Sequence, residues 1–314
     1  MLVDRHIGVR QEIKGRHGKV MADELDAYGA TISAAVQERP DTRSIKELAN
    51  KPLEPPFAKR IESQIIAEHP KRLGDSAVLT LDGYGTLVDK ESGVVGALMP
   101  WLNDVGVTAG RGEIIRAFGQ AERANLQPGL GYREVLSKAH DLVAEFFGVA
   151  PDPKAAKAFA HSVGLWPVHP DAPAALAYLK QHFQLVVLTN ADHTSFAKTN
   201  EALGVEFDAI YTAEEARSYK PDCGAFTFLL DRLSEAGIDK HQVLHVAGSI
   251  RFDHVPAKRL GMATCWIHRA HTKQRLAKAQ RLGIDVHPDF RFSTLGALAE
   301  AHWSENSMAA TATG

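Results

Sequence analysis

Short runs of apolar residues, separated by amphipathic segments, dominate the chain from Ala77 onwards. Continuous apolar runs are typical of strands that are buried on both faces of a parallel sheet. The segments between them repeat apolar residues at helical spacing. This alternation predicts an α/β fold with a doubly wound, mostly parallel sheet and a Rossmann-like core. The five predicted strands are AVLTL (77–81), LVVLT (185–189), AIYTA (209–213), VLHVAG (243–248) and ATCWIH (263–268).

One interval interrupts this rhythm, because about a hundred residues separate the first two predicted strands and a single crossover needs far fewer. Its helical patterns cover Val94–Asn103, Glu113–Asn125, Tyr132–Phe147 and Pro153–Ser162. An all-helical insertion after the first strand would form a cap above the strand ends. We therefore expect a helical cap domain over 93–165, inserted into a core domain made of 76–92 and 166–303.

The two ends of the chain have a different pattern. Residues 1–75 lack strand-like runs but contain an amphipathic stretch near Ala22–Gln37 and a charged helical pattern near Phe57–Lys71. They are predicted to form a helical N-terminal extension. Residues 304–314 are mostly small and polar, which predicts a flexible tail.

Composition narrows the class of protein without identifying its chemistry. The chain is 45% hydrophobic and 24% charged, as soluble globular proteins are. Its 36 Lys and Arg residues nearly balance 38 Asp and Glu residues, which argues against nucleic acid or an anionic membrane as a partner. The two cysteines, Cys223 and Cys265, cannot form a disulfide scaffold. No apolar run approaches the ~20 residues of a membrane span, so a cytoplasmic protein is expected.

Four short motifs place reactive side chains where predicted strands or turns end. Asp82 follows the first strand, Thr189 and Asn190 end the second, Lys220 precedes a proline, and Asp253 lies just beyond the fourth strand. Because the carboxyl ends of parallel strands meet at one edge of a sheet, we expect these side chains to form one site. A lysine beside a carboxylate there would favour its ionised form.

The order and spacing of these motifs resemble those of the haloacid dehalogenase superfamily. The stretches DGYGTLVD, VVLTN, SYKPD and LGMATCWIHR are similar to those of the type II L-2-haloacid dehalogenases. The resemblance covers roughly residues 77–300. It implies a small anionic substrate such as a 2-haloacid, no cofactor, and a homodimer.

What the resemblance implies for Asp82 is nucleophilic catalysis. The carboxylate would attack carbon 2 of a 2-haloalkanoate, displace halide and form an ester that water then hydrolyses. Lys220 would keep Asp82 ionised, and Asp253 matches the family's acid. The side chains implied to orient the carboxylate oxygens are those of Thr86, Thr189 and Asn190.

Tyr84 bears on the choice between a dehalogenase and a phosphatase. Phosphatases of the superfamily generally carry a second aspartate at this position, which protonates the leaving alcohol. A phenol, with a pKa near ~10, is a poor acid for that step, whereas halide leaves without a proton. Tyr84 would then contact the substrate or pack beneath the cap. The alternative is a small-molecule phosphatase that binds Mg²⁺ through Asp82 and Asp253.

Four positions depart from the dehalogenase pattern, since each holds an apolar residue or glycine where the family has a polar side chain. They are Gly119, Phe226, Gly248 and Ile250. With no arginine at position 119, Arg116 or Arg123 is the candidate to bind the substrate carboxylate from a neighbouring helical turn. The departures also leave a third interpretation, a catalytically silent relative that acts as a binding protein.

Overall fold

A computed structural model of the protein describes residues 72–269 and 286–312. Its centre is a six-stranded sheet in which every neighbouring pair of strands is parallel, in the order β3-β2-β1-β4-β5-β6. The strands are β1 (Val78–Leu81), β2 (Gln184–Thr189), β3 (Ala209–Thr212), β4 (Val243–Ala247), β5 (Ala263–Ile267) and β6 (Phe290–Phe292). The predicted doubly wound α/β fold is confirmed.

All five predicted strands form, and the sixth was missed. Phe290–Phe292 is a three-residue edge strand whose side chains are only partly buried. The sequence Phe-Arg-Phe is too short to show the alternating period that distinguishes a strand from a loop.

Four helices lie between β1 and β2 and form the predicted helical cap: α1 (Lys90–Asp104), α2 (Arg111–Asn125), α3 (Tyr132–Phe146) and α4 (Pro153–Ser162). The first begins at Lys90 rather than Val94 because the side chain of Asp89 accepts a hydrogen bond from the backbone N–H of Ser92, which caps the helix. The remaining helices are α5 (Ala172–Leu179), α6 (His193–Leu203), α7 (Ala213–Ala216), α8 (Cys223–Glu235), α9 (Val255–Arg259) and α10 (Leu295–Ala312).

The sheet buries both of its faces because successive side chains of a strand point to opposite sides. In β1, Leu79 and Leu81 join the apolar cluster that includes residues of α5 and α10. Val78 belongs to the cluster on the other face, with residues of α8. The cap helices form an apolar cluster of their own, to which Ile114 and Leu136 contribute.

The C-terminal part of the chain differs from its prediction. Residues 304–312, predicted as part of a flexible tail, continue helix α10 instead. Alanine is the strongest helix former, and three alanines in this last stretch favour continuation. The predicted N-terminal extension lies almost wholly outside the described residues. None of the helices in the described ranges combines the length and apolar character that a membrane span requires.

Two glycines of α1 give a paired prediction about packing at the base of the cap. An added Cβ at Gly93 would lie 2.2 Å from Cγ of Trp166, whereas one at the exposed Gly96 would meet nothing within 4 Å. We expect Gly93→Ala to lower the free energy of unfolding by about 1–3 kcal/mol through overpacking. Gly96→Ala should raise it by about 0.5–1 kcal/mol, since alanine loses less backbone entropy.

Chemical denaturation of the two variants, followed by circular dichroism, checks this pair. Equal effects of the two substitutions would contradict the close packing of α1 on Trp166.

Candidate active site

The sheet brings the predicted motifs to one edge through its strand order. The connection from β1 runs to β2 on one side, whereas β4 lies on the other, so a crevice opens beyond the carboxyl end of β1. Leu81 pairs with Val187 of β2 and with Val246 of β4. Asp82, the next residue, therefore enters the space between the ends of three strands.

A tight turn after β1 orients Asp82. The carbonyl of Gly83 accepts hydrogen bonds from the backbone N–H groups of Leu87 and Val88. Gly85 has a φ of 108°, a conformation that L side chains rarely adopt. The hydroxyl of Thr86 in this turn donates to Asp82 Oδ2 at 2.7 Å.

Gly248 approaches the same turn from the end of β4. Its N–H donates to Thr86 Oγ1 at 2.8 Å, so that a chain of hydrogen bonds runs from β4 through Thr86 to Asp82. An added Cβ at Gly248 would lie 2.7 Å from the carbonyl oxygen of Gly85. The glycine that departs from the dehalogenase pattern is thus required by this close approach of two backbones.

Lys220 is the centre of the site. Its Nζ donates to Asp82 Oδ1 at 2.7 Å, to Asp253 Oδ1 at 2.7 Å and to the carbonyl of Leu188 at 2.9 Å. These three bonds use all three protons of the ammonium group. The exposed fractions of Lys220, Asp82 and Asp253 are 2%, 6% and 1%, so the three charges are nearly removed from water.

The side chain of Asn190 positions Lys220 rather than reaching the carboxylates. Its Oδ1 accepts from the backbone N–H of Lys220 at 2.9 Å, and its Nδ2 donates to the carbonyl of the same residue at 3.0 Å. Thr189 lines the same cavity, and its hydroxyl accepts from the N–H of Ala191 at 3.1 Å. Both residues therefore act on local backbone, in addition to any contact with a ligand.

His245, on β4, forms a hydrogen bond with Asp253 from inside the sheet. His245 Nε2 lies 3.2 Å from Asp253 Oδ1, and its Nδ1 lies 2.9 Å from the hydroxyl of Thr80 on the neighbouring strand. The ring of Phe226, another departure from the family pattern, packs edge-on against His245 at 5.0 Å between centroids. This contact places Phe226 in the core under the site.

The electrostatics of the pair of carboxylates follow from these contacts. The pKa of Asp82 is raised. Burial is the largest cause and repulsion from Asp253 is the second, and together they outweigh the opposing effect of Lys220. Burial acts in the same direction on Asp253, but the charge of Lys220 and the hydrogen bond from His245 outweigh it and lower the pKa of Asp253 to about 2. Burial opposes the charge on Lys220, but Asp253 and Asp82 outweigh that effect and raise its pKa.

A cavity opens over these groups and contains about 410 Å³ of space free of protein atoms, its open mouth included. Its lining residues come from both the sheet edge and the cap: Asp82, Tyr84, Lys90, Glu122, Tyr132, Thr189, Asn190, Ala191, Lys220, Ser249, Phe252 and Asp253. Tyr84 lies among them, but its hydroxyl is hydrogen-bonded to Thr199 Oγ1 at 2.8 Å and its ring packs edge-on against Trp166. Burial raises the pKa of Tyr84, which makes it a still weaker acid.

The cap contributes three polar residues that the sequence analysis missed. Glu122 Oε1 accepts from Lys90 Nζ and from the hydroxyl of Tyr132, both at 2.6 Å, and Oε2 accepts from Lys90 at 2.7 Å. A signal was present, because Glu122 continues the apolar stripe of Ile114 and Phe118 at intervals of four residues. A charged residue on the buried side of a helix needs a partner and marks a candidate site.

The two arginines predicted to bind a substrate carboxylate are not brought to the site. Arg116 and Arg123 are both exposed on α2, and neither lines the cavity. The residue of α2 that does line it is Glu122, whose charge is opposite. Ile250, the fourth departure, is buried against Trp266 outside the cavity lining.

The donor set fits a magnesium ion poorly. Asp82 and Asp253 are the carboxylates available at the strand ends, and Lys220 already bonds to one oxygen of each. Asp253 Oδ2 is buried without a hydrogen-bond partner and is the one carboxylate oxygen of this pair that accepts no hydrogen bond within the described residues. Within the described residues, no group of three or more His, Cys, Asp or Glu side chains is placed to hold a metal ion.

Comparisons with known proteins give the same fold. The sequence model of the haloacid dehalogenase-like hydrolases matches residues 77–261. No curated protein matches the chain. Among solved structures, the L-2-haloacid dehalogenase of Xanthobacter autotrophicus is similar at 21% identity and a TM-score of 0.58, over 72% of this chain and 97% of that one.

Two further structures are similar to the same extent. A defluorinating L-2-haloacid dehalogenase is 21% identical with a TM-score of 0.58, over 72% of this chain and 94% of its own. The hydrolase YfnB of Bacillus subtilis, solved with magnesium, is 17% identical with a TM-score of 0.60, over 74% and 99%. At such identities the similarity establishes the fold alone.

Removing the central cation should reveal the energy of this buried ion cluster. We expect Lys220→Met to lower the free energy of unfolding at neutral pH by about 3–5 kcal/mol, because it leaves two buried carboxylates without a counter-charge. The loss should shrink as the pH falls and the carboxylates become protonated. Lys180→Met, which removes a partly exposed pair with Asp208, should cost at most about 1 kcal/mol.

Denaturant titrations at several pH values measure both variants. A pH-independent loss for Lys220→Met, or a loss equal to that of Lys180→Met, would contradict the arrangement.

Proposed function

Because the chain belongs to the haloacid dehalogenase-like hydrolase family, we propose that it hydrolyses a carbon–halogen bond with Asp82 as the nucleophile. The observation that carries the proposal is the buried contact of Asp82 with Lys220 and Thr86, at 2.7 Å each. These two donors fix the orientation of the carboxylate and oppose the effect of burial, which raises its pKa. Partial desolvation of this kind makes a carboxylate a stronger nucleophile.

The reaction proceeds through two displacements. An oxygen of Asp82 forms a bond to the carbon that carries the halogen, and the halide leaves with the electron pair of the broken bond. Water then adds to the carbonyl carbon of the resulting ester, the alcohol leaves, and the carboxylate is regenerated. The sum converts the organic halide and water into an alcohol, a halide ion and a proton.

Asp253 and Lys220 support the second step. Once Asp82 is an ester it carries no charge, so Lys220 then balances the charge of Asp253 alone. Asp253 Oδ2 has no hydrogen-bond partner within the described residues, and Asp253 lines the cavity. We assign to this oxygen the orientation of the hydrolytic water, while His245 and Lys220 hold the other oxygen in place.

Two features favour a halide over a phosphate ester. Tyr84 is engaged with Thr199, and burial raises its pKa, so it is unsuited to protonate a leaving alcohol. The Asp82 and Asp253 pair is also bonded to Lys220 in a way that fits Mg²⁺ poorly. The phosphatase alternative is tested alongside halide release, with phosphate esters as substrates and with added Mg²⁺.

Isotope labelling identifies the nucleophile. In water enriched in the heavy oxygen isotope, turnover of short halogenated acids and amides should place the heavy oxygen in the side chain of Asp82, because water attacks the ester carbonyl. Peptide mass spectrometry of the protein measures the incorporation. Asp253→Asn should slow ester hydrolysis and allow the Asp82 ester to accumulate.

Heavy oxygen that enters the product without entering Asp82 would contradict the covalent mechanism. Release of phosphate but not of halide would favour the phosphatase, and no turnover with either class would favour a silent relative.

The pH dependence of kcat/KM is a second prediction. Burial, and secondly repulsion from Asp253, raise the pKa of Asp82 above the ordinary value of 3.8. Since only the ionised form attacks, activity should fall as the pH decreases through that raised pKa. The pKa of Lys220 is raised above 10.5, so its deprotonation should not limit activity in the neutral range.

Halide release measured from acidic to alkaline pH checks this profile, with circular dichroism at each pH to detect unfolding. An acidic limb at or below pH 3.8 with folded protein would contradict the assignment.

A further inference from the structure

The cap wall of the cavity indicates which substrates the site accepts. Glu122, 5% exposed, accepts two hydrogen bonds from Lys90 and one from Tyr132. Three hydrogen bonds, two of them from an ammonium group, fix the orientation of this carboxylate. The cap therefore presents to the cavity a fixed anion with its own cation.

The charges that line the cavity sum to a negative total. Three carboxylates, Asp82, Glu122 and Asp253, face two ammonium groups, Lys90 and Lys220. No arginine or histidine is among the described residues that line it. A reactive, ionised Asp82 thus leaves the cavity with one negative charge in excess.

Neither lysine offers an uncompensated positive charge to a substrate carboxylate. Lys220 uses all three protons on Asp82, Asp253 and the carbonyl of Leu188. Lys90 bonds to both oxygens of Glu122. A substrate that took Lys90 for itself would leave Glu122 buried with only Tyr132, and an uncompensated buried charge is costly.

We propose that the Lys90–Glu122–Tyr132 cluster is a specificity site that selects an uncharged substrate, one that carries a carboxamide or a hydroxyl in place of a carboxylate. This inference rests on the proposed function, since it names the substrate class of the same site. Glu122 Oε2 accepts only one hydrogen bond, so it retains a lone pair that can accept another from such a group. Ser249, which also lines the cavity, supplies a hydroxyl.

The first experiment uses the wild-type protein and compares halide release from 2-chloropropionamide and from 2-chloropropionate. These substrates share the reacting carbon and differ in the charge next to it. We expect kcat/KM to be at least about tenfold higher for the amide. A preference for the acid would overturn the proposal.

The second experiment changes the cluster itself. Glu122→Gln keeps the shape of the side chain and removes the charge that neutralises Lys90, so the ratio of amide to acid activity should fall about tenfold. Glu145→Gln is the matched control, because it removes an exposed carboxylate of the same cap that does not line the cavity. An unchanged ratio in Glu122→Gln, or an equal change in Glu145→Gln, would overturn the proposal.

Binding of unreactive ligands separates this proposal from the function on which it rests. Lactamide and lactate can be titrated into the wild-type protein by calorimetry, because their binding requires no chemistry at Asp82. Tighter binding of lactamide supports the specificity site even if no halide is released, in which case only the proposed function fails. Equal or tighter binding of lactate, or no binding of either ligand, overturns the specificity site.

Discussion

The ammonium group of Lys220 is the interaction on which the rest of the site depends. It lies between two buried carboxylates, Asp82 and Asp253, at 2.7 Å from each. Without it, two like charges would share a nearly dry space, and at least one would take up a proton. This cation and its partners are positioned by the strand order, by the turn at Gly85 and by the hydrogen bonds of Asn190 to the backbone of Lys220.

This arrangement also restricts the chemistry. Lys220, whose three protons are all bonded to the protein, stabilises the carboxylate of Asp82 but leaves no donor for a ligand. On the cap side, the charge of Lys90 is likewise balanced, in this case by Glu122. Both features support the proposals of a leaving group that needs no proton and of a substrate that carries no charge.

Much of the fold and of the sheet-edge site was predictable because both depend on local patterns. Buried parallel strands are continuous apolar runs, and a side chain that follows such a strand must lie at the carboxyl edge of the sheet. Asp82 and Asp253 could be placed together on that ground. The short strand Phe290–Phe292 and the helical end of the chain were missed, since three residues show no period and small residues suit both coil and helix.

By itself, the sequence determined the doubly wound core, the helical insertion after the first strand and the identity of the residues at the strand ends. Tertiary structure alone decided which face of α2 meets the cavity. Periodicity identifies the apolar stripe of a helix, but the rotation of that stripe toward a site depends on packing against the other cap helices. That packing turned Glu122 toward the cavity and left Arg116 and Arg123 exposed. The sequence alone therefore could not predict the sign of the charge that the cap presents to the cavity.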